Sequence, residues 1–325
     1  MQPEYSRHRR KRVLITGAAG NLGSLSARYL KDKPLELNLL IHRKEVDPML
    51  RFKENIRIFR ADLAEAETLY PALEGVDVVV HFAGVLFKAH PEKFLPVTNI
   101  DYFNHLLDVA IKQNVKRIIL ISFPHTEGET TPQHPATGRL DQTPVSVHAQ
   151  TRLEEEKILF RKGAETGIET VSLRVGMVYG KGILMIDTAQ WFARHYLLGI
   201  WKKPTFIHLI SKEDFAATVA AAVERPGIQG IYHVGDEGIQ TLQEFLDVIT
   251  TFKGNHNPWR LPVWMILSAA RIFEWFSAVF GTASPLTCDF IRIGMVSYYG
   301  DTSRMRKDLL PELRYKTFRD GLETM

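Results

Sequence analysis

A chain of 325 residues with 45% hydrophobic and 24% charged side chains can bury one large core or two coupled lobes, and has the composition of an ordinary globular protein. Its single cysteine, Cys288, excludes an internal disulfide framework and a cysteine-based metal cage; this fits a reducing compartment, with the cytoplasm as the expected location. The net charge of +4 is dispersed among acidic residues, which argues against a dedicated nucleic-acid surface and only weakly for anionic small ligands.

The opening MQPEYSRHRRKR has charge but no apolar stretch, so a short solvated arm is expected there rather than a secretory signal. The first strand pattern, Val13-Leu14-Ile15-Thr16, runs into glycines at 17, 20 and 23, then into an amphipathic stretch through Leu22, Leu25, Ala27 and Leu30. Glycines on a strand-to-helix junction permit a tight turn and let backbone amides approach a pyrophosphate, while the helix N-terminus supplies positive potential. Gly17, Ala19, Gly20, Asn21, Leu22 and Gly23 are therefore the expected dinucleotide cradle.

Further strand patterns at 35–41, 56–59, 76–80, 116–122 and 170–175 alternate with helical patterns at 64–73, 99–112 and 150–162. Val78-Val79-Val80 and Ile118-Ile119-Leu120-Ile121 are apolar throughout, as strands buried on both faces must be. The pattern predicts an α/β fold: a Rossmann-type doubly wound parallel sheet with a smaller C-terminal substrate lobe. Residues 1–175 form the nucleotide-binding domain, with 205–250 returning to it, and the rest of 176–325 forms mainly the lobe. The polar segment 124–144 is the main irregular loop, of the kind that frames an active site.

Cofactor choice depends on the tip of the second strand, His42-Arg43-Lys44. A carboxylate there bonds the ribose hydroxyls of NAD, whereas a cation accommodates the 2′-phosphate of NADP. No carboxylate precedes Glu45, so His42 and Arg43 favour NADP(H) over NAD(H), the alternative being a merely solvated basic turn. Asp62 and Leu63, after the third strand, suit the edge and face of the adenine.

Taken together these segments resemble the extended short-chain dehydrogenase/reductase group, the NAD-dependent epimerase/dehydratase family. Thr16-Gly17-Ala18-Ala19-Gly20-Asn21-Leu22-Gly23 resembles its T-G-x-x-G-x-x-G motif, and Val80-His81-Phe82-Ala83-Gly84 resembles the strand end beside the cofactor. Asn99 stands where the family has the asparagine that opens a central helix. Arg174-Val175-Gly176-Met177-Val178-Tyr179-Gly180 resembles the R-P-G-x-V-Y-G turn, which implies contacts from Val175 and Met177 to nicotinamide and substrate. Asp301-Thr302-Ser303-Arg304 resembles a closing structural segment.

The resemblance implies hydride transfer assisted by a Ser/Thr, a Tyr and a Lys, the last two spaced Y-x-x-x-K. Here His148 stands in place of the tyrosine and Arg152 in place of the lysine, and Pro124 takes the hydroxyl position, leaving Ser122, His125 and Thr126 nearby as donors. Imidazole titrates near neutrality and can act as general acid or base, and Arg152 can bond the ribose hydroxyls while its charge opposes protonation of His148. The alternative is a decayed triad, with His148 capping or packing at the helix start. His125 and His134 do not form a metal-ligand spacing, so no metal is expected.

Segment 263–280 reads as a helix of unusual aromatic weight, with Trp264, Phe273, Trp275, Phe276 and Phe280, interrupted by Arg271 and Glu274. Core packing, a lid over an apolar substrate, and an interfacial helix on a membrane are the three readings. The segment resembles 3β-hydroxysteroid dehydrogenase-like members, which implies a bulky hydrophobic substrate. Two functions follow: an NADP(H)-using oxidoreductase, epimerase or dehydratase acting on a small molecule, possible as a homodimer, or an NADP-binding regulator without turnover.

Overall fold

Val13, Leu14 and Ile15 have no polar face to give to solvent, and the fold buries both sides of the strand they form. The computed structural model describes residues 9–85, 88–280 and 286–325. In chain order its first part comprises β1 (Lys11–Thr16), α1 (Asn21–Leu30), β2 (Leu35–Ile41), β3 (Ile56–Arg60), α2 (Tyr70–Leu73), β4 (Val78–His81), α3 (Tyr102–Lys112), β5 (Arg117–Ser122), α4 (Val147–Thr166) and β6 (Glu169–Val175). Then follow β7 (Met177–Tyr179), α5 (Leu184–Arg194), β8 (Gly199–Trp201), β9 (Phe206–Ile207), β10 (Leu209–Ser211), α6 (Lys212–Glu224) and β11 (Gly230–Val234). The chain continues through β12 (Gln240–Thr241), α7 (Leu242–Phe252), β13 (Trp259–Leu261), α8 (Val263–Phe280), α9 (Cys288–Gly294) and α10 (Ser303–Asp308).

Seven strands form one sheet in the order β11-β6-β5-β4-β1-β2-β3, every neighbouring pair parallel. Successive residues of a strand point to opposite faces. Val13, Ile15, Val78 and Val80 accordingly join one core cluster, with Ala27 of α1 and Val219 of α6, whereas Leu14, Val79, Ile118 and Leu120 join another, with Phe103 of α3 and Leu159 of α4. The chain reverses its direction of travel across the sheet between β1 and β4, which opens a crevice at their C-terminal ends.

Several boundaries differ from the sequence expectation; α4, expected at 150–162, runs Val147–Thr166. Segment 64–73 is a 3₁₀ turn at Ala66–Leu69 followed by the short α2, where Pro71, with no N–H, sits in the first turn. The helix expected from Asn99 starts properly at Tyr102, after a wide π turn at Pro96–Asp101. β4 begins at Val78 because the Val76 amide closes a turn onto Leu73 O and the Asp77 carboxylate accepts from the Arg12 amide at 2.8 Å.

Residues 1–8 of the expected arm lie outside the described residues. The basic run that follows is not free: Arg9 pairs with Asp77, Arg12 pairs with Glu36, and Lys11 donates to Val223 O. The loop 124–144 is likewise stitched down, through Thr130 N to Ser297 O, Ala136 N to Tyr299 O and Asp301 N to Ala136 O.

Candidate active site

Thr16 ends β1 and binds the glycine turn to β4. Its hydroxyl bonds His81 Nδ1 at 2.9 Å and accepts from the amides of Phe82 and Ala83. Burial, with Arg152 adding to it, pushes the His81 pKa down to about 3, so the ring is neutral. Gly17 adopts φ +64°, and a Cβ there would lie 2.9 Å from the Ala83 nitrogen. A Cβ on Gly23 would lie 2.3 Å from Gly17 O, so these two glycines serve close packing of the turn. At Gly20 the nearest atom to an added Cβ is Gly17 O at 3.0 Å. Gly20 caps α1 without a side chain, and no acidic residue occupies the first helical turn. The first amides of α1 are thus left for an anion, and a dinucleotide pyrophosphate fits that opening.

The flanking residues divide into those that reach the crevice and those already engaged. The Asn21 side chain spans to the segment after β7, donating to Gly182 O at 2.7 Å and accepting from the Leu184 amide, so only its backbone faces the cradle. Ala19 and Leu22 pack against the core. At the tip of β2, His42, Arg43 and Lys44 are exposed, while the next carboxylate in the sequence, Glu45, is held by Arg60 and Arg51. Asp62 accepts from the Ala64 amide and lies 3.4 Å from His42 Nε2. Leu63 packs on the second core cluster, and its carbonyl meets His105. Val175 is buried, and the Met177 amide donates to His208 O.

His148 sits in the first turn of α4. Ser146, not His148, caps this helix, accepting from the Ala149 amide, so the capping alternative does not hold. The His148 Nδ1 lies 2.8 Å from Asp289 Oδ2 of α9, both side chains largely buried. With Nδ1–H donating to a carboxylate, Nε2 carries the lone pair, and it has no hydrogen-bond partner among the described residues. Arg152 lies one turn on from His148 in α4. Its guanidinium pairs with Glu155 at 2.7 Å and reaches Ala83 O, lying against Gly84 so closely that a Cβ there would stand 2.3 Å from Nη2. Glu155 is fully buried, and that burial outweighs Arg152 and raises its pKa to about 7.

Asn99 donates to Thr151 Oγ1 at 3.0 Å and leaves its own Oδ1 without a partner among the described residues, as do the buried hydroxyls of Ser122 and Thr126. His125 is drawn to the C-terminal segment: its Nε2 meets Val296 O at 3.1 Å, and burial lowers its pKa to about 4. Its Nε2 is thus committed to the backbone, while its buried Nδ1 has no hydrogen-bond partner among the described residues. Phe123 lies between the two imidazoles, 5.0 Å from His125 and 6.4 Å from His148 by ring centroids. Arg174, which the motif placed at the cofactor turn, is fully buried and bonded to Glu156, Glu127 and Arg139 O, a framework role. Arg304 of the closing segment donates to Ile231 O at 3.0 Å and lies over the Tyr232 ring. A cleft of about 740 Å³ bounded by Lys31, Glu36, Phe52 and Arg57 lies at the N-terminal edge of β2 and β3, at the other end from the glycine turn.

A glycine turn at the switch point of a doubly wound parallel sheet defines a dinucleotide-binding α/β protein. The model of the NAD-dependent epimerase/dehydratase family matches residues 13–203. The uronate dehydrogenase of Pseudomonas putida is 32% identical over 196 residues, 60% of this chain and 71% of that protein. The sterol-4-alpha-carboxylate 3-dehydrogenase, decarboxylating, of Bos taurus is 22% identical over 273 residues, 78% of this chain and 74% of that one. Among solved structures, the UDP-glucose 4-epimerase of Thermus thermophilus in complex with NAD aligns with a TM-score of 0.73 at 20% identity, covering 96% of this chain and 97% of that chain. The chain belongs to the NAD-dependent epimerase/dehydratase family and is an oxidoreductase of that family with a Rossmann fold.

Proposed function

We propose that this protein is an NADP(H)-preferring oxidoreductase that interconverts a hydroxyl and a carbonyl on a hydrophobic substrate, with His148 moving the proton. The observation that carries this reading is the His148–Asp289 hydrogen bond at the position the family gives to tyrosine. Two relatives are named as dehydrogenases, one of uronates and one of sterol carboxylates, which supports alcohol oxidation as the reaction class.

The bound nicotinamide supplies a hydride acceptor or donor. In the oxidative direction His148 Nε2 takes the hydroxyl proton, and Asp289 stabilises the imidazolium that results while keeping the ring in one tautomer. In the reverse direction the same imidazolium returns the proton to the carbonyl oxygen. Arg152, set against Gly84 just after β4, would hold the ribose hydroxyls of the bound cofactor, and its pairing with Glu155 fixes its guanidinium there. The exposed Arg43, with Glu45 turned away onto Arg60, favours a 2′-phosphate. Cys288 as the sole thiol is consistent with action in the cytoplasm. The regulator reading is not favoured: the replaced positions retain an oriented acid–base group.

The experiment is a panel of uronic acids and 3-hydroxysteroids offered with NADP⁺ and NAD⁺, followed by absorbance of the reduced cofactor. Turnover with NADP⁺ that collapses in His148→Phe supports the proposal. Binding of either cofactor with no turnover across the panel, and an identical response in the variant, would contradict it.

A further inference from the structure

A helix at a protein surface normally turns bulky apolar side chains inward and polar ones outward. α8 is built the other way round. Its buried residues are the modest Ile266 and Ala270, and its one carboxylate, Glu274, points back to accept from the Cys288 amide at the start of α9. Trp264, Ile272 and Trp275 are each about two-thirds exposed, and Phe276, Val279 and Phe280 share the exposed surface with Arg271 as the one charged side chain. Four of the chain's five tryptophans, Trp191, Trp259, Trp264 and Trp275, are at least half exposed, and all lie between α5 and α8. Tryptophan is strongly buried on average, so this concentration is not scattered surface apolarity.

The patch extends past the helix. Trp259 of β13 donates from Nε1 to Tyr196 O at 3.0 Å, and Tyr196 and Leu197 are both exposed. The exposed Lys202 and Lys203 follow β8, where Trp201 pairs with Leu261 just before α8 begins. Aromatic residues that are amphipathic, bordered by cations, match the headgroup layer of a membrane.

We propose that α8, with Trp259 and Tyr196 beside its N-terminal end, is a docking surface for an anionic lipid bilayer, lying in the plane of the interface. Its length and composition would suffice for a span, but its inner side is committed to α9 and β8, which leaves one face for the interface. A second copy of this chain across a two-fold axis would bring Lys202, Lys203 and Arg271 against the same positive set, whereas anionic headgroups complement them. This inference stands apart from the catalytic reading, since it uses none of the residues placed in the active site.

The test floats the full chain with vesicles of phosphatidylcholine alone or mixed with phosphatidylglycerol, and follows tryptophan quenching by brominated phosphatidylcholine in the mixed vesicles. The chain is expected to float with anionic vesicles and its emission to be quenched. Replacing Trp264, Ile272 and Trp275 together by Ser is expected to lower partitioning about a hundredfold with an unchanged melting temperature. Lys202→Glu with Lys203→Glu is expected to lower binding to anionic vesicles about tenfold and to leave quenching chemistry otherwise intact. Wild-type chain that neither floats nor is quenched overturns the proposal. So does a wild-type dimer that ignores vesicles and becomes monomeric in the triple variant, which would assign the face to a second copy.

Discussion

Asp289 stands 141 positions from His148, and no spacing rule connects them; only the packing of α9 against the start of α4 brings the carboxylate to Nδ1. His148 and Arg152 were legible because the family motif fixes their place, whereas Glu155 is one of three consecutive carboxylates on a helix with nothing in the sequence to single it out. Its neighbours do not reveal that it is fully buried and closes onto Arg152. At this scale Asp289→Leu, which removes the acceptor at similar size, is expected to abolish the preference for the Nδ1–H tautomer in ¹⁵N spectra of the imidazole and to lower turnover about 10²-fold. An unchanged tautomer in that variant would mean that Asp289 does not orient the ring. Arg43→Ala is expected to weaken NADPH by roughly ten- to a hundredfold and to leave NADH unaffected, the worth of one or two charge-assisted bonds to a phosphate. Titration calorimetry with both cofactors reads this directly, and equal losses for the two would remove Arg43 from the phosphate site.

The glycine turn and α1 act as one element, and its three glycines separate by what a Cβ would meet. Gly23→Ala puts a methyl group 2.3 Å from Gly17 O and is expected to destabilise the fold by about 1–3 kcal/mol, since backbone atoms on both sides must shift. Gly20→Ala meets only Gly17 O at 3.0 Å and is expected to cost less than about 1 kcal/mol while lowering cofactor affinity, because the new side chain stands at the open amides of α1. Melting temperatures and cofactor titrations of the two variants distinguish the roles; equal loss of stability in both would contradict the division. The strand–turn–helix was readable from sequence because propensity and burial agree there. The π turn at Pro96–Asp101 was not, because its register is set by Asn99 reaching Thr151 of α4 rather than by local preference. α8 shows the same limit: its ends were plain from hydrophobicity, but which side faces outward depends on what α9 and β8 already cover.

Over the whole molecule the sheet supplies the rigid frame, and its all-apolar strands made the doubly wound class evident before any contact was known. Leu14 is fully buried beneath α2 and α3, so Leu14→Ala is expected to cost about 2–5 kcal/mol in denaturant unfolding without touching the crevice. Glu155 contributes stability that falls as pH rises from 4.5 toward 7, because the folded chain keeps a proton on it that the unfolded chain has released, whereas the buried, neutral His81, His125 and His208 contribute in the opposite sense over the same range. Glu155→Gln is expected to remove that contribution, so that the stability of wild type relative to the variant falls with rising pH; a difference that stays constant across the range would show that Glu155 does not hold the proton. The central claim is that His148, held by Asp289, carries the proton in a nicotinamide-linked oxidation. The most direct measurement compares wild-type chain with His148→Phe for NADPH affinity and for the rate of substrate-dependent NADP⁺ reduction. The account predicts unchanged affinity with turnover lowered ~10²–10⁴-fold; turnover that survives intact in His148→Phe would contradict it.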